Sequence, residues 1–226
     1  MRQFALLALG VAVASGANAA ILIDDFTTGN YTKVLTTGND YASQNGAMLG
    51  GDRGTFLAVL SNPLGVSLNF TVGSGFYIAD AGSRLAYNVS VGYGYTLVGG
   101  GTSGSFAFDD LNANFGGQDR FRLWFESNDL NLGLEVGVRS GGTFYTHTRT
   151  IAGGFPNTPF TEDILFTSAG LGGVNWADVD QVYLSFTNTP SGDFALTRFE
   201  AVPEPASMLA LGAGLAALVA RRRRKS

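Results

Sequence analysis

The chain has no cysteine in 226 residues. Disulfide bonds, thiolate metal sites and cysteine nucleophiles are therefore excluded. Histidine is nearly as scarce. His147, in Tyr145-Thr146-His147-Thr148-Arg149, is the single one. No Gly-x-Ser-x-Gly elbow accompanies it, so neither a Ser-His-Asp set nor a three-ligand zinc site has its parts. We read His147 as an ordinary strand residue. Charge is also sparse, at 14% of residues. The whole chain carries a formal −4, but residues 20–200 hold 8 Lys+Arg against 17 Asp+Glu, a net −9. Arg2 and the C-terminal tail supply the remaining positive charge. An acidic body has no basic face for phosphates, which excludes nucleic acid as a partner.

Glycine and phenylalanine are plentiful, at 32 and 17 residues. Tight turns separated by aromatic, β-branched runs predict an all-β chain. The runs Ile21–Phe26, Phe56–Leu60, Ser67–Val72, Leu85–Val91, Tyr93–Val98 and Ser105–Phe108 come first. Phe121–Glu126 and the alternating run 132–139 follow, separated by Ser127-Asn128-Asp129, and read as a hairpin or as neighbouring strands. Thr143–Ile151, Phe160–Phe166, Val182–Thr187 and Phe194–Ala201 complete the set. Leu85, Tyr87, Val89 and Val91 alternate with Ala86, Asn88 and Ser90, the pattern of a strand with one wet face. Trp176–Asp180 allows one short helical turn. About a dozen short strands predict a two-layer antiparallel β-sandwich, jelly-roll-like, in a single domain over 20–201.

The two ends have a different character. Residues 1–19 read as a signal peptide, with Arg2, an apolar run Phe4–Ala14 and small residues at Ala17 and Ala19. The mature chain then begins at Ala20, and signal peptidase is a partner. At the other end Pro203, Glu204 and Pro205 precede an uncharged run, Ala206–Ala220, followed by Arg221, Arg222, Arg223, Arg224 and Lys225. As a helix the run spans ~22 Å, a short transmembrane segment whose basic end stays in the cytoplasm. Val-Pro-Glu-Pro-Ala-Ser, a Leu/Ala/Gly helix and a terminal arginine cluster resemble the PEP-CTERM sorting signal of exported Gram-negative proteins. The resemblance covers residues 202–226. It implies an exosortase-type transpeptidase as partner, recognition through Pro203, Glu204, Pro205 and Arg221–Arg224, and a membrane anchor that is transient. It also implies an envelope or secreted location in company with exopolysaccharide.

A second, looser resemblance spans the body. Ile-Leu-Ile-Asp-Asp-Phe at 21–26, Val174–Val182, and the closing Asp-Phe-Ala-Leu-Thr-Arg-Phe-Glu at 193–200 are similar to galactose-binding-like jelly rolls. No binding residue follows from it.

Within the body, Gly99-x-Gly101-x-x-Gly104 copies the dinucleotide fingerprint in letters. A strand follows it where a helix N-terminus would have to hold the pyrophosphate, so we read a loop. The carboxylate pairs Asp24/Asp25, Asp109/Asp110, Glu126/Asp129 and Glu162/Asp163 read as solvated turn residues rather than glycosidase acids. A structural calcium on Asp24, Asp25 and Asp193 would follow if the first and last strands met; otherwise no cofactor is called for. Trp124, Tyr93 and Tyr95 are candidates for a sugar platform, with Trp124 fitting better as a core residue. No catalytic residue is assigned. The expectation is a non-enzymatic structural or adhesive protein. A carbohydrate-binding module is the alternative, and a carboxylate-dependent hydrolase comes behind both.

Overall fold

The computed structural model describes residues 19–204. Two antiparallel sheets pack face to face as a jelly-roll-like β-sandwich. The first sheet contains β1 (Ile21–Asp24), β2 (Tyr31–Leu35), β5 (Leu68–Gly73), β6 (Phe76–Ala81), β10 (Arg120–Asn128), β13 (Phe160–Leu165) and β15 (Phe194–Val202). The second contains β3 (Asn39–Asn45), β4 (Asp52–Ser61), β7 (Ala86–Tyr93), β11 (Leu132–Ser140), β12 (Thr143–Ile151) and β14 (Gln181–Asn188). A two-stranded hairpin, β8 (Tyr95–Val98) and β9 (Ser105–Phe108), lies outside both. A single 3₁₀ turn, Leu49–Gly51, is the only helical element among the described residues.

The order in the first sheet is β13-β10-β15-β6-β5-β2. One edge of β15 pairs with β10, while the other is shared between β6 at Phe194–Leu196 and β1 at Phe199–Ala201. The order in the second is β12-β11-β14-β7-β4-β3. Hairpins close β3–β4, β5–β6, β8–β9 and β11–β12, β1 and β2 stay within the first sheet, and the remaining connections leave one sheet for the other. The β11–β12 turn is Gly141-Gly142, both at positive φ (57° and 78°), as a two-residue hairpin twisted with its strands requires.

Alternation buries Phe121, Leu123 and Phe125 of β10 and Leu132, Leu134, Val136 and Val138 of β11 in the core. These two strands belong to different sheets, which corrects the hairpin reading of 121–139. Each has a fully apolar inner face, and placing one in each sheet buries both in the core between the layers. β15 changes parity within its length. Its register slips between Leu196 and Arg198, so Leu196 and Phe199 are both buried. Such a bulge re-aims a strand without breaking its pairing. Residues 176–180 form turns closed by Asp178 N–H on the Asn175 carbonyl, not a helix.

One polar cluster crosses the core. Arg53 and Asp24 are fully buried and meet at 2.6 Å. The Tyr93 hydroxyl donates to the same Asp24 oxygen at 2.9 Å. Arg53 also donates to Gln44 and to the carbonyls of Thr28 and Gly29. Burial pushes the Asp24 carboxyl up, and the guanidinium opposes that rise.

Candidate functional site

The outer face of the second sheet is built from the residues that alternate away from the core. Strand registers place Tyr41, Phe56, Ser90, Ser185, Glu135 and Thr148 in one lateral row, each beside the next. A neighbouring row reads Gly54, Gly92, Tyr183, Gly137. With adjacent strands ~4.8 Å apart, the first row spans about 24 Å.

One end of this face is aromatic. A cleft of about 240 Å³ is lined by Tyr41, Gly54, Phe56, Ser90, Gly92, Tyr95, Phe106 and Tyr183, among others. The hairpin β8–β9 supplies Tyr95 and Phe106 from above. Its glycine tip is pinned to the edge strand: Tyr41 and Gly101 exchange two backbone hydrogen bonds, at 3.0 and 3.2 Å. The glycine rows beneath have a physical cause. A Cβ on Gly54 would come within 2.8 Å of the Phe106 ring, one on Gly92 within 2.8 Å of Tyr95, and one on Gly137 within 1.9 Å of Tyr183. Rings lie directly on bare backbone there. Tyr41 and Phe56 sit 4.7 Å apart between centroids, and Tyr41 and Phe106 5.7 Å.

The other end is polar. A depression of about 540 Å³ is lined by Asn88, Glu135, Thr148, Arg149, Thr150, Ser185 and Thr187 together with Gly133 and Leu134. Two bonds join it to the aromatic end. The Tyr183 hydroxyl donates to Glu135 Oε1 at 2.6 Å, and the Ser90 hydroxyl donates to Ser185 at 2.9 Å. Asn88 donates to Ser185 and Thr187. Burial first, then the bond to Glu135, push the Tyr183 hydroxyl well above its ordinary pKa, and burial does the same for Tyr95. Both remain neutral hydroxyls. The face therefore offers flat apolar rings beside hydroxyl, amide and one carboxylate.

Of the three aromatic candidates, Tyr95 alone belongs to this face. Tyr93 is buried on Asp24, Tyr95 joins the cleft, and Trp124 is not in the core. Trp124 stands on the outer face of the first sheet, 39% exposed, its indole N–H donating to Glu200 at 3.0 Å. That strand's inner face is filled by Phe121, Leu123 and Phe125, so the alternate position must face out. Asp25 holds Thr27, Asp109 and Asp110 cap their own turn, Glu162 pairs with Arg149, and Asp163 with Arg120 and Arg122. β1 and β15 do meet, yet Asp24 is level with Phe199, six residues beyond Asp193 and so about 20 Å from it along the strand. No group of three or more His, Asp or Glu is placed to hold a metal among the described residues. His147 Nδ1 lies 3.0 Å from the Ala169 carbonyl, on an edge strand. Glu135, the carboxylate of the groove, was legible only as a wet-face residue between Gly133 and Gly137.

At the termini, Ala19 and Ala20 are exposed, Pro203 is half-buried and Glu204 exposed. Ala17, Pro205, Arg221–Arg224 and the proposed transmembrane run lie outside the described residues. No helix long and apolar enough to cross a membrane occurs among the described residues.

No curated protein matches the chain. Among solved structures it is similar to the family 11 carbohydrate-binding module of the cellulosomal cellulase Lic26A-Cel5E of Clostridium thermocellum. The identity is 10%, over 83% of this chain and 96% of that one, with a TM-score of 0.41. The agarase AgWH50C shares 9% identity over 83% of this chain and 25% of its own, with a TM-score of 0.40. TmCBM61, solved with β-1,4-galactotriose, shares 9% over 73% and 88%, with a TM-score of 0.33. Likenesses this distant carry no argument about ligand. Residues 201–224 match the PEP-CTERM protein-sorting motif, which implies export and exosortase sorting of the chain that carries the β-sandwich.

Proposed function

We propose that the body is an adhesive module of the cell envelope or extracellular matrix, holding exopolysaccharide on the outer face of its second sheet. The observation that carries this is the single lateral row in which Tyr41 and Phe56 run into Ser90, Ser185 and Glu135. Sugar rings have an apolar face and a polar rim. Aromatic rings stack on the first, while paired hydroxyl, amide and carboxylate groups take the second. The length of the row suits an extended chain of several sugars lying across the strands.

The electrostatics favour an uncharged glycan. Glu135 would repel a uronate, and the nearby Arg149 is occupied by Glu162 at 3.1 Å. Binding rather than hydrolysis is favoured because a glycosidase needs two carboxyls ~5–9 Å apart, and the two linings contain Glu135 alone. Pro203, Glu204 and Pro205, with Arg221–Arg224, are proposed as the sorting contacts, and Ala17 and Ala19 as the signal-peptidase contacts.

Retention of residues 20–204 on immobilised neutral and uronate-rich polysaccharides, including the producing strain's own, tests the reading. Retardation on a neutral polysaccharide that is lost in a Tyr41→Ala, Tyr183→Ala double variant is expected. Absence of retention on every polysaccharide, or equal retention by the double variant, would sink it.

A further inference from the structure

Two arms leave the aromatic cleft. One is the hydroxyl-rich row through Ser90, Ser185 and Glu135 to Thr148 on β12. The other is a run of aromatic rings. Tyr41 meets Phe106 at 5.7 Å between centroids, Phe106 meets Tyr95 at 6.0 Å, Tyr95 meets Phe108 at 6.4 Å, and Phe108 meets Phe144 at 5.6 Å. Each ring hands on to the next, so the apolar surface is unbroken from β3 to β12. Its far end is the most open. Phe108 is 57% exposed and Phe144 44%, whereas Tyr41, Tyr95 and Phe106 are half-buried.

Both arms end on the same face of the same strand. Phe144 and Thr148 lie four residues apart on β12, a separation of about 13 Å. On β11 their partners are Arg139 and Glu135. Gly137 lies midway between those two, and the Tyr183 ring lies on it. Tyr183 therefore stands as a divider between the arms.

Arg139 gives the aromatic arm a hydrogen-bond donor. Its guanidinium lies 3.9 Å over the Phe108 ring and 5.7 Å from the centroid of Phe144. Among the described residues it makes no ion pair, and its buried Nε has no acceptor. Acids are close by in the fold. Asp109 and Asp110 follow Phe108 directly, and Asp180 N–H donates to the Arg139 carbonyl. Carboxylates there oppose an anionic ligand and accept from a hydroxyl-bearing one. A neutral sugar has the matching parts: an apolar face for the phenylalanines, and hydroxyls for Arg139 and the acids.

A linear chain leaving the cleft can follow one arm or the other, and must fold back on itself to use both. A branched chain fills both without such a turn. We propose that this face takes a branched neutral polysaccharide, with its backbone along the hydroxyl-rich row and a side branch on the Phe108–Phe144 arm. The proposal rests on the reading of the face as a polysaccharide site and narrows the class of its ligand.

Affinity electrophoresis tests it. Full-length chain in a non-glycosidic detergent is run through gels holding matched neutral polysaccharides, mannan against galactomannan and linear against side-branched β-glucan. The expected result is several-fold greater retardation by the branched member of a pair. A Phe108→Ala, Phe144→Ala variant loses that difference and keeps the retardation given by the linear member. Both rings are exposed, so their removal leaves the core intact. Arg139→Gln keeps the rings, is expected to lose part of the difference, and gives an independent reading. Equal retardation by the two members of every pair overturns the branch site. So does a difference that survives the double variant, or a variant that weakens both members alike. Retardation by no polysaccharide at all overturns the polysaccharide reading beneath it, which is a separate and distinguishable failure.

Discussion

At the scale of single residues, the group that matters most to the fold is the one whose role is least visible in the sequence. Arg53 follows Gly-Gly-Asp in what reads as a turn, yet it is fully buried on Asp24. Truncating it would leave the Asp24 carboxyl in the core without a counter-charge, held only by the Tyr93 hydroxyl and the Phe26 N–H. We expect Arg53→Ala to cost about 3–5 kcal/mol in urea denaturation. We also expect a paired Arg53→Met, Asp24→Asn variant to recover most of that, because it removes both charges together. Asp193 behaves in the opposite sense. Burial, with Asp129 and Asp80 nearby, pushes its carboxyl up to about 6, partly offset by the Ala81 N–H it accepts. A folded-state value above the unfolded 3.8 means that the charge destabilises the fold as pH rises from about 4 to about 6. Asp193→Asn keeps the acceptor for Ala81 and loses the charge. The variant should be more stable than the parent at pH 7, by about 1 kcal/mol after solvent screening, with no advantage at pH 3.5. Melts at the two pH values check this.

At the scale of elements, strands with strong apolar patterning were legible, the edges β12 and β13 among them, and the more polar or shorter ones were not. Leu85–Val91 and the run 132–139 alternate cleanly, and both are central strands of the second sheet. Tyr31–Leu35, Asn39–Asn45 and Phe76–Ala81 are strands that the sequence pattern does not mark. Two of them are sheet edges, and Asn39-Asp40-Tyr41-Ala42-Ser43-Gln44-Asn45 is polar enough to look like a loop. Pairing with β4 along its whole length overrides that propensity. The hairpin β8–β9 was legible as two short strands around a glycine loop. That it folds over Gly54 depends on a residue about fifty positions from Phe106 in the chain. Gly137→Ala tests the importance of those bare-backbone positions. Its Cβ must displace the Tyr183 ring, costing about 1–3 kcal/mol and opening the Tyr183–Glu135 bond. A lowered melting temperature together with weakened polysaccharide retention is the expected pair of readings. Unchanged retention would remove Tyr183 from the groove.

At the scale of the molecule, the sorting motif and the sandwich overlap. The motif match begins at Ala201, while β15 runs through Val202, with Ala201 fully buried and Val202 nearly so. The cleavable tail therefore has to be removed beyond Val202 if the product is to stay folded. A chain ending at Glu204 should melt at the same temperature as one carrying the tail. A chain ending at Arg198 loses the buried Phe199 and the pairing of β1, and should show no cooperative melt by circular dichroism. Burying Phe199 alone is worth about 3–5 kcal/mol, a large share of the 5–15 kcal/mol that typical domains possess.

Determined by the sequence alone were the all-β class, the inward faces of the central strands, and the sorting address. Each depends on local pattern: a two-residue alternation, a glycine turn, or a contiguous motif read by another protein. The tertiary structure alone decided that Phe121–Glu126 and the run 132–139 join different sheets, that Trp124 is outside the core, that Arg53 is inside it, and that Tyr41, Tyr95, Phe106, Tyr183 and Glu135 share one face. Those are relations between strands far apart in the chain. They are set by which sheet each strand joins, and no local periodicity records that choice.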